Sequence, residues 1–169
     1  SFVKDEDIYG EYCIEVGNGS IENYLSLSNG ETFNLPNKFT ISFWFKNVSI
    51  TNWARIINIK QSGNTANFQE DPLYIFHYHD YPSGNNDISG FPFIQNYFSN
   101  KKWIHMCYVY SNDNTNQIYK SYVNSKYNSD LGNVSLILES LQIYIGGIGI
   151  TRFYDFRIYN RSLSEKEIQ

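Results

Sequence analysis

The stretch Phe39–Lys46, F-T-I-S-F-W-F-K, constrains the fold more than any other. It puts Phe39, Ile41, Phe43 and Phe45 on one side and Thr40, Ser42, Trp44 and Lys46 on the other. A helix would scatter the four large residues around its circumference. A strand with one buried face keeps them together, and aromatic and β-branched residues favour that state. The stretch therefore predicts a central strand of an antiparallel sheet.

The rest of the chain repeats the signal in shorter runs. Tyr12–Val16, Tyr24–Leu27, Arg55–Lys60, Leu73–His79, Phe91–Tyr97, Trp103–Tyr110, Ile118–Lys126, Val134–Leu138, Leu141–Ile145 and Arg152–Tyr159 all read as extended. Pro92 argues against a central position for Phe91–Tyr97. Trp103–Tyr110 is apolar on both sides and reads as an interior strand. Turn residues punctuate the runs at Gly17-Asn18-Gly19, Asn29-Gly30, Asn112-Asp113-Asn114 and Gly146-Gly147-Ile148-Gly149. Asn47–Trp53, Gln61–Asp71 and Asp80–Gly90 read as loops. The one helix signal is Ser164-Glu165-Lys166-Glu167, a capping box. Ten to twelve short strands at hairpin spacing, without intervening helices, predict an all-β antiparallel two-sheet sandwich.

Composition bounds what such a sandwich can be. The 169 residues make a single domain, 1–169, large enough to bury its own core. Fifteen Tyr and 12 Phe against four Pro favour strands over disorder. A net charge of −4 without a basic block argues against nucleic acid as a partner. No apolar run approaches the ~20 residues of a transmembrane helix. The N-terminus is charged where a signal peptide would be apolar, so the chain reads as a segment of a larger protein. Cys13 and Cys107 form neither a disulfide framework nor a zinc knuckle. A bond between them requires neighbouring strands and an oxidising compartment, and both alternatives stay open.

Six pieces then fall in a telling order: Y-L-S-L at Tyr24–Leu27, F-T-I-S-F-W-F at Phe39–Phe45, and W-I-H-M-C-Y-V-Y at Trp103–Tyr110. Y-V-N-S-K at Tyr122–Lys126, I-Y-I-G-G at Ile143–Gly147 and F-R-I-Y-N-R-S-L-S-E-K-E-I at Phe156–Ile168 follow. Together they resemble the laminin G-like, concanavalin A-like jelly-roll domains over nearly the whole chain. The order is also similar to the first jelly-roll of the receptor-binding half of clostridial neurotoxins. Ser125 stands where the family hairpin usually has Gly, and Tyr154 where the last strand often opens with Asp. The resemblance implies a jelly-roll fold and a non-catalytic recognition or adhesion role. It also implies calcium as a recurrent ligand, held by loop carboxylates and carbonyl oxygens. Asp71, Asp80, Asp87 and Asp113 are the loop carboxylates here, but they form no recognisable calcium motif, and turn formation accounts for them.

The chemistry-bearing residues are few. Glycoside hydrolysis needs two carboxylates flanking a cleft. No E-x-D-x-x-E row occurs, and Glu11, Glu15, Glu165 and Glu167 are isolated or at edges, so the chain is expected not to be an enzyme. His77, His79 and Asp80 have the spacing for three metal ligands on one strand but lack a fourth, and half-buried residues of an aromatic strand explain them as well. His105 is expected to be a core histidine satisfied by a backbone group. The candidate ligand-binding set is Trp53, Tyr78, His79, Asp80 and Tyr81. Its aromatic rings offer faces for sugar C–H groups, and its polar neighbours suit hydroxyls. Asn18, Asn47, Asn133 and Asn160 begin N-x-[S/T] triplets.

The expected role is a module of a larger surface or secreted protein that binds a glycan or a protein. One alternative is a structural domain of a virion, tail fibre or matrix. Another is an accessory carbohydrate-binding domain of a hydrolase or the receptor-binding domain of a toxin. No cofactor is expected.

Overall fold

A computed structural model describes residues 1–5, 7–8, 12–17, 23–26, 29–49, 57–61, 73–74, 79–80, 86–87, 101–113, 115–130, 138–147 and 150–169. Within some strands (23–24, 58–61, 73–74, 79–80, 86–87, 129–130 and 146–147) only the backbone is described.

The described strands are β1 (Phe2–Lys4), β2 (Tyr12–Val16), β3 (Asn23–Ser26), β4 (Lys38–Ser49), β5 (Ile57–Gln61), β6 (Leu73–Tyr74) and β7 (His79–Asp80). Then come β8 (Asn86–Asp87), β9 (Trp103–Asn112), β10 (Gln117–Val123), β11 (Lys126–Asp130), β12 (Leu141–Gly147) and β13 (Ile150–Tyr159). A single helical turn, α1 (Glu165–Ile168), follows. Seven strands form one sheet in the order β1-β2-β13-β4-β9-β10-β11, and four form a second in the order β3-β12-β5-β6. The ribbon β7-β8 stands apart from both. All pairings are antiparallel, as the sequence predicts.

The core lies between the two large sheets. Phe39, Ile41, Phe43 and Phe45 of β4 are each 0 % exposed, so the predicted strand is central in position and in burial. They meet Ile104, Met106, Tyr108 and Tyr110 of β9, Phe153 of β13, and Ile57, Leu141, Ile143 and Ile145 of the second sheet. Ring pairs such as Phe39–Tyr110 at 5.1 Å and Phe43–Phe156 at 5.8 Å fill the layer. Each buried ring contributes about 1.5–3 kcal/mol by leaving water.

Several boundaries differ from expectation. Asn47–Ser49 continues β4 instead of opening a loop, because residues 47 and 49 pair with Thr151 and Ile150. Gly146 and Gly147 extend β12 against Tyr24 and Asn23 instead of breaking it. The run Ile118–Lys126 splits into β10 and β11 at Asn124 and Ser125. Both have positive φ, 48° and 64°, as a two-residue hairpin turn demands. Leu73–His79 is represented by β6 and the start of β7. Phe91–Tyr97, the Val134–Leu138 run except Leu138, and the Asn18 and Asn133 triplets lie outside the described residues.

Cys13 and Cys107 are both free and buried. Their strands β2 and β9 are separated by β13 and β4. Three inter-strand steps of about 4.8 Å put them roughly 14 Å apart, too far for a disulfide. The Cys107 thiol is pushed up to about 12 by burial and behaves as an apolar filler.

Candidate functional site

Of the predicted binding set, Trp53, Tyr78 and Tyr81 lie outside the described residues. His79 and Asp80 form β7, with backbones opposite Asp87 and Asn86 of β8. The ribbon therefore brings His79, Asp80 and Asp87 together along one short ladder. The structure does not describe their side chains. Asp71 and His77 also fall outside the described residues. Asp113 serves a turn: its Oδ1 accepts the Asn116 and Thr115 N–H groups at 2.7 and 3.2 Å. Those bonds hold its carboxyl below the usual range. Among the described residues, no group of three or more His, Cys, Asp or Glu could hold a metal ion. None of the described helix is long and apolar enough to cross a membrane.

The best-defined arrangement of polar and aromatic groups is on the outer face of the seven-stranded sheet. Residues that alternate with the core point there. Thr40, Ser42, Trp44 and Lys46 of β4 stand opposite Val109, Cys107, His105 and Trp103 of β9. On the other flank, Tyr159, Arg157, Tyr154 and Arg152 of β13 stand opposite the same four residues of β4. Two terminal segments cover the ends of this face.

The N-terminal segment covers the row Arg152–Lys46–Trp103. Asp5 is 3 % exposed, and its carboxylate accepts Lys46 Nζ at 3.1 Å and Arg152 Nη1 at 2.8 Å. Burial alone would raise the Asp5 pKa. The bonds from Arg152, Lys46 and the Asp7 amide outweigh it and hold the carboxyl at about 2. Trp103 Nε1 is buried and makes no hydrogen bond of good geometry, yet it still helps to lower Asp5. Lys46 also pairs with Asp7, and Arg152 Nε with Glu15 at 2.8 Å.

The C-terminal segment covers the opposite end. Thr40 Oγ1 donates to the Arg161 carbonyl and accepts the Leu163 N–H, both at 2.9 Å. Ser162 Oγ donates to the Tyr110 carbonyl at 2.8 Å, and Ser125 Oγ to that of Ile168 at 2.9 Å. Leu163 and Ile168 then pack on Cys107, Val109 and Tyr122. The capping box predicted at Ser164 forms: the Glu167 carboxylate takes the Ser164 N–H at 2.9 Å and its hydroxyl at 2.8 Å. Glu167 also grips Arg161 through two bonds, at 2.7 and 3.1 Å.

Between the two covers, Trp44, His105, Ser42 and Tyr154 remain half-buried, and Arg157 is exposed. The Trp44 and His105 rings lie 5.0 Å apart at 37°. His105 Nε2 and Ser42 Oγ share a hydrogen bond of 2.8 Å. This corrects the expectation for His105, which lies outside the main core and whose ring is satisfied by a side chain. Burial lowers its pKa, with Asp155 raising and Arg157 lowering it less, so the ring is neutral at pH 7. Arg157 Nε donates to Asp155 at 2.6 Å. The outward side of β4 was legible in the alternation at Phe39–Lys46. The role of His105 had no sequence signal, because its partner Ser42 is 63 residues away.

Comparison with known proteins bears on this arrangement. The family model Laminin_G_3, described as the concanavalin A-like lectin/glucanases superfamily, matches residues 18–169. No curated protein matches by sequence. Among solved structures, a Trypanosoma rangeli sialidase is similar with a TM-score of 0.54 and 13% identity, over 93% of this chain and 26% of that one. This chain thus spans about a quarter of the sialidase. Domain 4 of AbnA, an extracellular arabinanase of Geobacillus stearothermophilus solved with arabinotriose, gives 0.60 at 14% identity, over 99% of this chain and 79% of that one. The carbohydrate recognition domain of Emp46p in its potassium-bound form gives 0.56 at 12% identity, over 91% and 84%. At such identities the likeness shows the fold alone.

Proposed function

This chain belongs to the Laminin_G_3 family of the concanavalin A-like lectin/glucanases superfamily, and on that premise we propose that it is a non-catalytic carbohydrate-recognition module. Its setting is a larger surface or secreted protein, and its ligand is a glycan rather than a small molecule or nucleic acid. The observation that carries the non-catalytic part is the state of the acids. Asp5, Asp113 and Glu167 are the described carboxyl groups with shifted pKa values, and all three shift downward. A glycosidase acid needs the opposite shift, upward to keep its proton near neutrality. On the outer face, Asp5 and Glu15 are ion-paired with Arg152, and Asp155 with Arg157.

Support for glycan as the ligand comes from the company the fold keeps. Similar structures include a carbohydrate recognition domain and an arabinanase domain solved with an oligosaccharide. The loop set Trp53, Tyr78, His79, Asp80 and Tyr81 stays a candidate contact region under this reading. Glycan-array binding of the whole chain, followed by hydrolysis assays on every glycan bound, tests it. Binding without turnover is the expected result. Cleavage of a bound glycan, or binding to none, overturns the proposal.

One observation favours a protein contact in addition. Phe2 and Tyr12, 78 % and 67 % exposed, sit on β1 and β2, at the end of the seven-stranded sheet. Two exposed rings beside a sheet edge suit a neighbouring domain of the parent protein.

A further inference from the structure

We infer that the strip of outer sheet between the two terminal covers, centred on Trp44, is a subsite for one ring of a neutral oligosaccharide. The inference rests on the carbohydrate reading above and assigns it a place and a ligand class.

The strip is bounded on both sides. Along β4, from one cover to the other, the outward positions are Thr40, Ser42, Trp44 and Lys46. The C-terminal segment takes Thr40 and the N-terminal segment takes Lys46. Two outward positions remain, about 7 Å apart along the strand, which leaves room for one ring and not for an extended protein surface. Toward β10 the strip ends at Ile168, which is buried over Cys107 and Tyr122. Toward β13 it is flanked by half-buried Tyr154 and exposed Arg157.

Its chemistry suits a sugar. Trp44 supplies an apolar face held by the adjacent His105 ring, so little side-chain freedom remains to be lost on binding. Ser42 keeps acceptor capacity beyond its bond to His105, since a hydroxyl has one donor and two lone pairs. Tyr154, opposite Trp44 on β13, adds a half-buried phenol beside it. An aromatic plane with a few fixed polar groups beside it is how proteins orient polyhydroxylated ligands.

Charge selects among sugars. The three cations that flank the strip each have an acid partner: Lys46 has Asp5 and Asp7, Arg152 has Asp5 and Glu15, and Arg157 has Asp155. An acidic sugar would have to displace one of those carboxylates, whereas a neutral sugar displaces none. The electrostatics therefore fit an uncharged ring.

The test titrates the intact chain with neutral cello-, xylo-, manno- and arabino-oligosaccharides and with acidic sialyllactose and oligogalacturonate. The Trp44 indole N–H resonance locates the contact, and Trp44→Ala and Trp44→Phe vary it. We expect binding of at least one neutral series, a shift of the Trp44 resonance, and at least tenfold weaker binding for Trp44→Ala. Trp44→Phe keeps an aromatic face, so it retains most of the affinity and guards against a variant that fails to fold. Neutral-sugar binding with an unmoved Trp44 resonance, or undiminished binding by Trp44→Ala, overturns the subsite and leaves the recognition function standing. Preference for the acidic sugars overturns the ligand class. No binding to either set, nor to any glycan of an array, overturns subsite and function together.

Discussion

Replacing Asp5 with Asn tests whether the N-terminal cover is fixed by charge. In the folded protein the Asp5 carboxyl sits at about 2, against an ordinary value of 3.8. At 1.36 kcal/mol per pKa unit, that difference contributes roughly 2 kcal/mol of stability at neutral pH. Solvent reaching the network through exposed Asp7 trims the figure. Removing one member of a buried pair ordinarily costs about 3–5 kcal/mol, because a charge is left uncompensated. Here Lys46 keeps Asp7 and Arg152 keeps Glu15, so the lower end applies. Asp5→Asn should therefore lose about 2–3 kcal/mol, or roughly 5–10 °C in Tm for a chain of this size. The sign with pH is fixed by the depressed pKa. The Asp5 contribution is present above 3.8 and is lost as pH falls toward about 2. Urea unfolding of both proteins between pH 7 and pH 2 reads this directly. The gap should be widest above pH 4 and should close as pH approaches 2. A variant within 0.5 kcal/mol of the parent at pH 7, or a gap that persists at pH 2, would refute the argument that charge holds this segment down.

Two further outcomes follow from the same structure. Ser125 combines a positive φ of 64° with a hydroxyl bond to the Ile168 carbonyl. Ser125→Ala should cost about 1 kcal/mol by losing the bond, while Ser125→Gly relieves the backbone and comes out nearer to neutral; chemical denaturation separates the two, and equal losses would contradict this account. Cys13 and Cys107 should both resist a thiol reagent in the native protein and both react in denaturant without reductant, since neither is exposed nor bonded.

The sheet layers were readable because their cause is local. Phe39, Ile41, Phe43 and Phe45 alternate within one strand, and the same alternation told that Trp44 points away from the core. Leu141, Ile143 and Ile145 carry the same pattern in the second sheet. What the sequence hid was made by contacts across the chain. Trp103–Tyr110 reads as buried on both sides, but for two different reasons. Ile104, Met106, Tyr108 and Tyr110 face the core, whereas Cys107 and Val109 are covered by the C-terminal segment. Nothing local in Arg161–Ile168 announces that it will lie across a sheet. Its anchor at Thr40 is 121 residues away in sequence. Asp5 likewise reads as part of a charged tail, and only the fold makes it a buried partner of residues 46 and 152.

The outer-face strip depends on one irregularity that periodicity alone would have missed. In an unbroken strand, Tyr154 and Arg157 would point to opposite faces, being three residues apart. In β13 the register shifts between them, so that Tyr154 stands opposite Trp44 and Arg157 opposite Ser42. Two residues, Asp155 and Phe156, thus face the single residue Phe43 of β4. Asp155 takes a φ of 52°, as the first residue of one kind of bulge does, usually a Gly. The extra residue restores the inward direction for Phe156, which packs on the core beside Phe43 at 5.8 Å. It also returns Arg157 to the outer face, where the Asp155 carboxylate neutralises it at 2.6 Å. The Asp that the family pattern would place at position 154 is found one residue later, at the bulge. A backbone position of positive φ is thus occupied by an acid that cancels a cation at the bend of the strand. That pairing is what leaves the strip without free charge, and hence suited to a neutral ring.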